Sequence, residues 1–354
     1  MFTILVGLLV AGGWATGDAE KLAKGREIYA AACAACHGRD GNGNPEWESE
    51  VRPIQFSDCG TTAEPSELWQ SVVSHGGPYA GLDAKMPAFG EAYSSEEIGA
   101  VVAYLRTFCE GADAYPPGDL NFRRALKTGK AFPEAEIVLR ASHRPRESDR
   151  ETELELLYEN RLGPRFQYEL VLPLRVQGAE GTGIADVEVE GKQVLWFSQR
   201  ELSILSAGVG VTFPTGSESK GLSDGSVVFA PYAAFGKGLG SRGRSMFQTR
   251  VGAHLPAGGD EASATLDWAV ALSRALGPAR RAWTPALELV GSYDVDAKRH
   301  DFATWVEVSK PLNVLGHVIA SVGAQIPVRP KSASWKLEAY VLWDFGDGPF
   351  WVGW

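Results

Sequence analysis

Two cysteines and a histidine stand at a spacing that points to one kind of chemistry. Residues 33–37 read Cys-Ala-Ala-Cys-His, a C-x-x-C-H motif. Two thiols separated by two residues near a helix end can form thioether bonds to both vinyl groups of a haem, and the adjacent histidine then reaches the iron. The motif therefore predicts one covalently attached haem c, held by Cys33 and Cys36, with His37 as an axial ligand.

Two other uses of paired cysteines need companions that the sequence lacks. A zinc half-site requires a second pair of ligands. A redox dithiol of the thioredoxin kind lies in a βαβ context. Neither accompanies residues 33–37, so haem attachment is the favoured interpretation.

A haem iron that carries electrons needs a sixth ligand, and the methionines supply one candidate. Met1 lies in a predicted signal and Met246 in a predicted strand, whereas Met86 lies in a loop that reads Met-Pro-Ala-Phe-Gly. A thioether opposite an imidazole raises the reduction potential and favours electron transfer. We therefore predict Met86 as the second axial ligand. The alternatives are that Met86 only packs, or that His75 is the ligand.

Helical patterns flank these residues and are needed to position them. Residues 19–35 are rich in alanine, and Ser94 or Ser95 can cap a second helix that has an acidic first turn and apolar residues at helical spacing as far as Leu105. The loop-rich stretch between them needs a large apolar cofactor to pack around. The pattern predicts a small all-α domain over residues 18–109, followed by a linker over residues 110–134 that is rich in proline and glycine.

From residue 135 to residue 354 the apolar pattern changes to period two, which indicates β-strands. We count twelve segments: 135–143, 151–161, 164–176, 183–197, 202–214, 226–239, 245–256, 264–276, 284–295, 302–312, 318–328 and 332–345. Their even number, their length and the eight tryptophans in this part of the chain favour an antiparallel, up-and-down transmembrane barrel. The alternative is a soluble β-sandwich.

Composition and charge narrow the class of protein. The 354 residues are 44% hydrophobic and carry a net charge of -10, which argues against global disorder and against nucleic-acid binding. No apolar run is long enough for a helical membrane span of about 20 residues. The shorter run from Phe2 to Trp14, followed by small residues, predicts a signal peptide over residues 1–17 and therefore export.

Residues 20–109 resemble a class I cytochrome c in their Gly25 and Tyr29 helix, CAACH site, MPAFG loop and closing helix. The resemblance implies that the carbonyl group of Pro45 accepts the Nδ1 hydrogen of His37, and that the two terminal helices cross near Gly25. The second part is similar to outer-membrane proteins of the phenol-degradation transporter type, through Asn160-Arg161-Leu162, residues 183–187 and residues 214–216. The whole arrangement resembles the fused cytochrome-porins that are thought to oxidise extracellular ferrous iron.

Cys59 and Cys109 remain outside the haem motif. Two spare cysteines in one small exported domain usually pair, so we predict a disulfide bond between them, with two free thiols as the alternative.

The barrel sets limits on what such a fusion can do. Twelve strands tilted at about 40° close a cylinder of roughly 24 Å, too narrow for a domain of about 90 residues. We therefore expect the haem domain at the periplasmic mouth of a barrel in the outer membrane of a Gram-negative bacterium. An apolar band about 25 Å tall then separates it from the outside, too far for one efficient tunnelling step.

The predicted lumen face is rich in carboxylates, which suit divalent cations or simply hydrate the lumen. They are Glu153, Glu155, Glu169, Asp186, Glu188, Glu190, Asp267, Glu288, Asp294, Glu307 and Glu338, against Arg175, Lys192, Arg250 and Lys336.

Three functions follow from the sequence. The first is an electron-transfer protein rather than an enzyme with its own substrate, with a periplasmic redox partner and the barrel as anchor or as access route for an external reductant. The second is a porin with a periplasmic haem docking module, which passes a small solute. The third is a soluble periplasmic cytochrome with a β-sandwich binding domain.

Overall fold

The computed structural model describes residues 11–46, 53–146, 150–177, 181–240, 243–257, 263–277, 281–329 and 334–345. The chain divides into two units, one ending at Tyr115 and the other beginning at Pro116. Residues 1–10 of the predicted signal lie outside the described residues, and the first described helix begins at Ala11.

The first unit is helical, as the alanine-rich and capped segments predict. Its α-helices are α1 (Ala11–Ile28), α2 (Ala34–His37), α3 (Ser66–His75) and α4 (Ser95–Leu105), with a π-helical turn over Tyr29–Cys33 between α1 and α2. Ser94 caps α4: its hydroxyl group accepts a hydrogen bond from the Glu97 backbone N–H at 3.3 Å, and the Glu97 carboxylate accepts one from the Ser94 N–H at 3.0 Å. This reciprocal pair fixes where the helix begins.

No helix among the described residues is both long enough and apolar enough to cross a membrane.

Helices α1 and α4 cross where Gly25 lies. A Cβ atom built on Gly25 would lie 2.1 Å from the Ala100 carbonyl oxygen and 2.9 Å from the Tyr104 Cβ. The two backbones therefore approach too closely for any side chain at this position. The crossing implied by the resemblance is present in the structure.

We expect Gly25→Ala to destabilise the first unit by about 3 kcal/mol, because the new methyl group forces the two helices apart. The matched control is Gly99→Ala in α4. A Cβ atom at Gly99 meets only Gln70 Nε2, at 3.8 Å, and alanine there should add about 1 kcal/mol through helix propensity. Denaturant titration of the full-length protein, followed by helical circular dichroism, measures both. Equal stability for Gly25→Ala and wild type would contradict the close crossing.

The second unit is a closed antiparallel β-barrel. Its strands are β1 (Glu136–Arg144), β2 (Glu151–Arg161), β3 (Phe166–Gln177), β4 (Gly183–Ile184), β5 (Val187–Ser198), β6 (Ser203–Phe213), β7 (Val227–Leu239), β8 (Ser245–Ala257), β9 (Thr265–Arg274), β10 (Thr284–Asp294), β11 (Arg299–Pro311), β12 (Val318–Arg329) and β13 (Lys336–Asp344). Each strand pairs with its neighbours in sequence except β4 and β5, which do not pair with each other. β1 pairs with both β2 and β13, which closes the ring.

The barrel has twelve positions around the ring because β4 and β5 occupy one of them. Both strands pair with β3, and they are separated only by Ala185 and Asp186. The twelve segments predicted from the period-two pattern are thereby confirmed.

Side chains alternate between an apolar outside and a polar inside. Leu139 and Val251 are 53% and 57% exposed on the outer wall. Glu136 is in the same strand as Leu139 but on its inner side, and it is only 2% exposed. A soluble sandwich buries its apolar faces between two sheets, so the β-sandwich alternative is excluded by this arrangement. An apolar exterior is typical of a barrel in a lipid bilayer.

The two ends of the barrel differ. We call the end where β1 begins and β13 finishes the terminal end, and the opposite one the loop end. The longest connection between strands, residues 214–226, is at the loop end. Other connections at the loop end are short, such as residues 295–298, so the predicted contrast between short turns and long loops is only partial.

Residues 116–134 differ from the linker that the sequence predicts. They belong to the second unit, and Leu120, Leu126, Phe132 and Glu134 are each at most 1% exposed. The sequence reading failed because this segment pairs with no strand and follows neither helical nor strand periodicity. Its contacts are made with side chains that the barrel wall directs inward.

Candidate haem site

The local backbone places the two haem-motif cysteines at the end of the first helix. The π-helical turn over Tyr29–Cys33 leads directly into α2, which holds Cys36 and His37. Cys33 packs against the core of the first unit, which is built from Ile28, Tyr29, Phe56, Trp69, Val101, Val102 and Leu105. Cys36 follows three residues later and is also half-buried.

The environment of Cys33 disfavours a reactive dithiol. Burial, together with the neighbouring Cys36, raises the pKa of Cys33 to about 11. Redox-active cysteines have a lowered pKa instead. Among the described residues, the side chains grouped closely enough to hold a metal ion are Glu134, Glu136 and Asp344, which belong to the second unit. No second ligand pair for zinc therefore accompanies the cysteines in the described part of the first unit.

His37 is fixed by hydrogen bonds to the backbone on both sides of it. The Tyr29 hydroxyl group donates to the Gly38 carbonyl at 2.6 Å. The Gly43 N–H donates to the His37 carbonyl at 2.8 Å, and the Asn44 N–H donates to the Cys36 carbonyl at 2.9 Å. These bonds hold the end of α2 against the loop that follows it.

The His37 ring suits a metal ligand. It lies 4.9 Å from the Phe56 ring, and desolvation lowers its pKa, against a hydrogen bond with the Ile54 backbone. Its Nδ1 atom is buried without a hydrogen-bond partner. Metal-binding histidines are neutral, and the lowered pKa favours the neutral imidazole. The residues present therefore fit a haem iron.

Pro45 does not make the contact that the resemblance implies. It is exposed on the turn after Asn44, and the Nδ1 atom of His37 makes no hydrogen bond. The Asn44 side chain instead donates to the Ala35 carbonyl at 2.8 Å. The loop is thus tied to α2 through Asn44 rather than through the imidazole.

Met86 lies on a braced loop. The Gly77 N–H donates to the Met86 carbonyl at 2.9 Å, and the Phe89 N–H donates to the Val73 carbonyl at 2.9 Å. Gly76 adopts a φ of +83°, and a Cβ atom on Gly77 would lie 2.1 Å from the Asp83 carbonyl oxygen. Glycine is therefore required where this loop folds back beneath Met86.

His75, the alternative ligand, and Met246, the other methionine among the described residues, have other surroundings. His75 is exposed at the end of α3, where its Nδ1 atom lies 3.0 Å from the Ser71 carbonyl and its ring stacks on Tyr79 at 4.4 Å. Met246 is buried in the second unit in a cluster with Leu120. The braced, half-buried Met86 remains our predicted ligand.

Arg106 is a residue of this site that sequence reasoning missed. Its guanidinium group lies 4.9 Å from the Trp69 ring centroid, and it donates to the carbonyl groups of Thr62 and Glu64 at 3.0 and 2.6 Å. It thereby joins the end of α4 to the loop before α3. Only its position one residue after the predicted helix could have suggested this role.

The structure pairs Cys59 with Cys109 in a disulfide bond, with their Cα atoms 5.1 Å apart and a sequence separation of 50. The bond closes a loop that contains both α3 and Met86. It lies beside Glu110, whose carbonyl oxygen is 3.5 Å from the Cys59 sulfur.

We expect the double variant Cys59→Ser and Cys109→Ser to lose about 4 kcal/mol of unfolding free energy, because opening a loop of this length restores entropy to the unfolded chain. Denaturant titration of the oxidised protein measures the change. Wild-type protein treated with a reductant is the control and should match the variant. If the oxidised wild type and the double variant unfold together, the bond does not form in solution.

Comparison with known proteins places the two parts of the chain. The family model for "Cytochrome C oxidase, cbb3-type, subunit III" matches residues 20–105. The cbb3-type cytochrome c oxidase subunit FixP of Azorhizobium caulinodans is 33% identical over 99 residues, which are 28% of this chain and 31% of that protein. The chain thus spans about a third of the length of the curated relative that it matches.

Two solved structures align with the barrel. The KdgM porin, solved in complex with disordered oligogalacturonate, is 14% identical and aligns over 59% of this chain and 99% of its own, with a TM-score of 0.43. An outer-membrane channel from Pseudomonas putida F1 is 14% identical and aligns over 63% of this chain and 99% of its own, with a TM-score of 0.47. Residues 20–105 are a class I c-type cytochrome domain, and a closed twelve-stranded antiparallel β-barrel follows them.

Proposed function

We propose that this protein is a monohaem c-type cytochrome, anchored in the outer membrane, that transfers electrons. The observation that carries the proposal is the C-x-x-C-H motif on a helix end, with a half-buried and desolvated histidine, in a chain that continues into a barrel with an apolar exterior. A haem supplies reversible one-electron chemistry, and the barrel supplies a membrane anchor.

Four side chains of the first unit hold the haem in this proposal. Cys33 and Cys36 would attach it covalently, and the imidazole of His37 and the thioether of Met86 would bind its iron. The Tyr29 and Phe56 contacts described above keep the helix end and the imidazole in place. Two protein ligands leave no open position on the iron, which favours electron transfer over activation of small molecules.

The outer wall of the barrel supports the membrane location. Exposed tryptophans lie at or near strand ends, at Trp196 and Trp283 near the terminal end and Trp335 near the loop end, each about half exposed. Tryptophan at both edges of an apolar band is typical of outer-membrane barrels. Trp305 departs from this pattern because it is buried in the lumen, and Trp351 and Trp354 lie outside the described residues.

We further propose that the cytochrome domain faces the periplasm. The strand that follows it and the last strand both reach the terminal end of the barrel, and both chain ends of bacterial outer-membrane barrels lie on the periplasmic side. Export by the predicted signal over residues 1–17 and the Cys59–Cys109 disulfide bond accord with an oxidising compartment. The redox partner is then a periplasmic protein.

Fractionation of cells with haem staining tests this proposal. We expect the stained full-length protein in the outer-membrane fraction, resistant to extraction with salt. Recovery of the stained protein in the soluble periplasm after gentle lysis would exclude the membrane anchor. An unstained band in the outer membrane would exclude the covalent haem.

The polar lumen favours a second function, a transporter with a haem docking module. Liposomes separate the two functions. Oxidation of the reduced protein by an impermeant acceptor on the loop side would show that electrons cross, whereas solute flux without electron flux would support the transporter.

A further inference from the structure

The segment that joins the cytochrome domain to the first strand lies inside the barrel. We call residues 116–134 the plug. Its side chains and backbone contact inward-facing residues on all sides of the ring, from β1, β2, β3, β5, β6, β7, β8, β10, β11, β12 and β13. A segment held from so many directions crosses the lumen rather than lining one wall.

One half of the plug is held by apolar packing. Leu120, Phe122, Ala131 and Phe132 form a buried cluster with wall residues. The wall residues of the cluster are Val194, Ile204, Tyr232, Ala234 and Met246. An aqueous channel would not place this apolar area on its inner wall, so these wall residues fit a permanent occupant.

Arg124 ties the plug to the wall with charge. Its guanidinium group donates to Glu136 at 2.7 Å and to Glu159 at 2.6 Å, and all three side chains are at least nine-tenths buried. The Tyr340 hydroxyl group donates to the Arg124 carbonyl at 2.7 Å. Buried arginine is stable only when it is paired in this way.

The tip of the plug satisfies carboxylates of the wall with its backbone. The Leu126 N–H donates to Glu307 at 3.0 Å, and the Thr128 N–H donates to Glu288 at 2.7 Å. The Lys127 ammonium group pairs with Glu338. Three carboxylates of the predicted lumen face, Glu288, Glu307 and Glu338, are thus bound by the plug.

The wall is shaped to leave room for the plug. A Cβ atom on Gly236 would lie 2.8 Å from the Phe122 ring. Gly236 has no positive φ, so its backbone does not require glycine. The missing side chain is explained by the space that the plug occupies. Gly323 also lies against the plug, 2.5 Å from the Leu126 side chain when a Cβ atom is built on it, but the Val306 carbonyl oxygen of the wall would lie 2.8 Å from the same atom.

We propose that residues 116–134 are a resident plug that closes the lumen of the barrel, so that the protein in a membrane does not conduct solutes until the plug is displaced. This inference rests on the membrane location proposed above and adds that the lumen of the barrel is closed. It makes the barrel an anchor with a closed lumen, and it assigns to Arg124 and Lys127 the role of holding the plug in place.

Conductance of the full-length, haem-loaded protein in planar bilayers tests the plug. We expect a nearly closed wild type and at least about a tenfold rise in conductance when residues 118–133 are replaced by a Gly/Ser segment of equal length, because the lumen then fills with water. The double variant Arg124→Gln and Lys127→Gln should open more often than wild type. Arg144→Gln is the control, since Arg144 pairs with Glu151 and not with the plug. A wild type as conductive as the plug replacement would overturn the proposal.

Thiol labelling is a second test, which does not depend on whether the variant with the replaced plug folds. Ala131 is 3% exposed inside the barrel, whereas Ser219 is exposed on the 214–226 loop. With the natural cysteines bonded, Ala131→Cys should resist a water-soluble maleimide until denaturation, and Ser219→Cys should react at once. Equal labelling rates for the two variants would show that residues 116–134 do not lie inside the barrel. Membrane fractionation and haem staining of the same samples report separately on the proposed function, so its failure is distinguishable from failure of the plug.

Discussion

Substitution of both Cys33 and Cys36 by serine is expected to abolish covalent haem attachment. Each thiol forms one of the two thioether bonds in our proposal, so the double variant keeps no covalent link, and each single variant keeps one. Denaturing electrophoresis with peroxidase-based haem detection measures attachment directly. We expect staining to fall to background in the double variant and to be reduced in each single variant.

The control for this result is the double variant Cys59→Ser and Cys109→Ser, which removes two cysteines of the same domain without touching the motif. It should stain like wild type although it is less stable. Because Cys33 packs against the core at partial burial, serine there also costs packing, so protein levels must be compared by immunoblot. Undiminished staining of the Cys33 and Cys36 double variant at equal protein levels would contradict attachment at this motif.

The strands were predictable because the barrel imposes period two on the chain. In β13, Leu337 and Val341 face outward while Glu338, Tyr340 and Leu342 are buried inside, and the sequence shows this alternation without knowledge of the partner strands. Predicted and observed strand ends agree to within a few residues. β11 begins at Arg299, earlier than predicted, because His300 and Asp301 pair with Tyr293 and Ser292 of β10 in spite of their polarity.

The plug was not predictable because its stability depends on residues far away in sequence. Arg124 is bound by Glu159, and the tip of the plug by Glu288 and Glu307. The sequence of residues 116–134 does not indicate whether these groups bind the barrel wall or are solvated. Proline and glycine indicated a break in regular structure, which is correct, but a break in regular structure does not mean exposure to solvent.

The same limit explains the lumen carboxylates. Their facing direction follows from alternation, and Glu288, Glu307 and Glu338 are indeed buried inside the barrel. Their partners do not follow from the sequence of the strands, because the plug supplies N–H groups and Lys127. The interpretation of these residues as cation ligands therefore gives way to one in which they hold the plug.

The haem motif was recognisable from spacing alone, whereas its support was not. The sequence places Tyr29 on the first helix, but only the structure shows that its hydroxyl group fixes the backbone after His37. Phe56 lies in a stretch without periodicity and nevertheless packs against both His37 and Trp69. Such contacts arise from tertiary packing, which a single sequence does not encode locally.

Replacement of Met86 by alanine is expected to leave the haem attached but to lower its midpoint potential by on the order of 0.2 V, because the weakly donating thioether is lost. The loop itself should persist, since it is held by backbone hydrogen bonds from Gly77 and Phe89 and not by the Met86 side chain. Redox titration of the full-length protein, followed by visible absorption, measures the potential. Haem staining of the same samples shows that attachment is unchanged.

Two control variants decide which residue binds the iron. Met246→Leu removes a methionine buried in the second unit and should leave the potential unchanged. His75→Ala removes the competing ligand and should also leave it unchanged if Met86 is bound. An unaltered spectrum and potential in Met86→Ala, together with a large shift in His75→Ala, would assign the iron to His75. The methionine loop would then serve packing alone, and the high potential that a thioether confers would be absent from this protein.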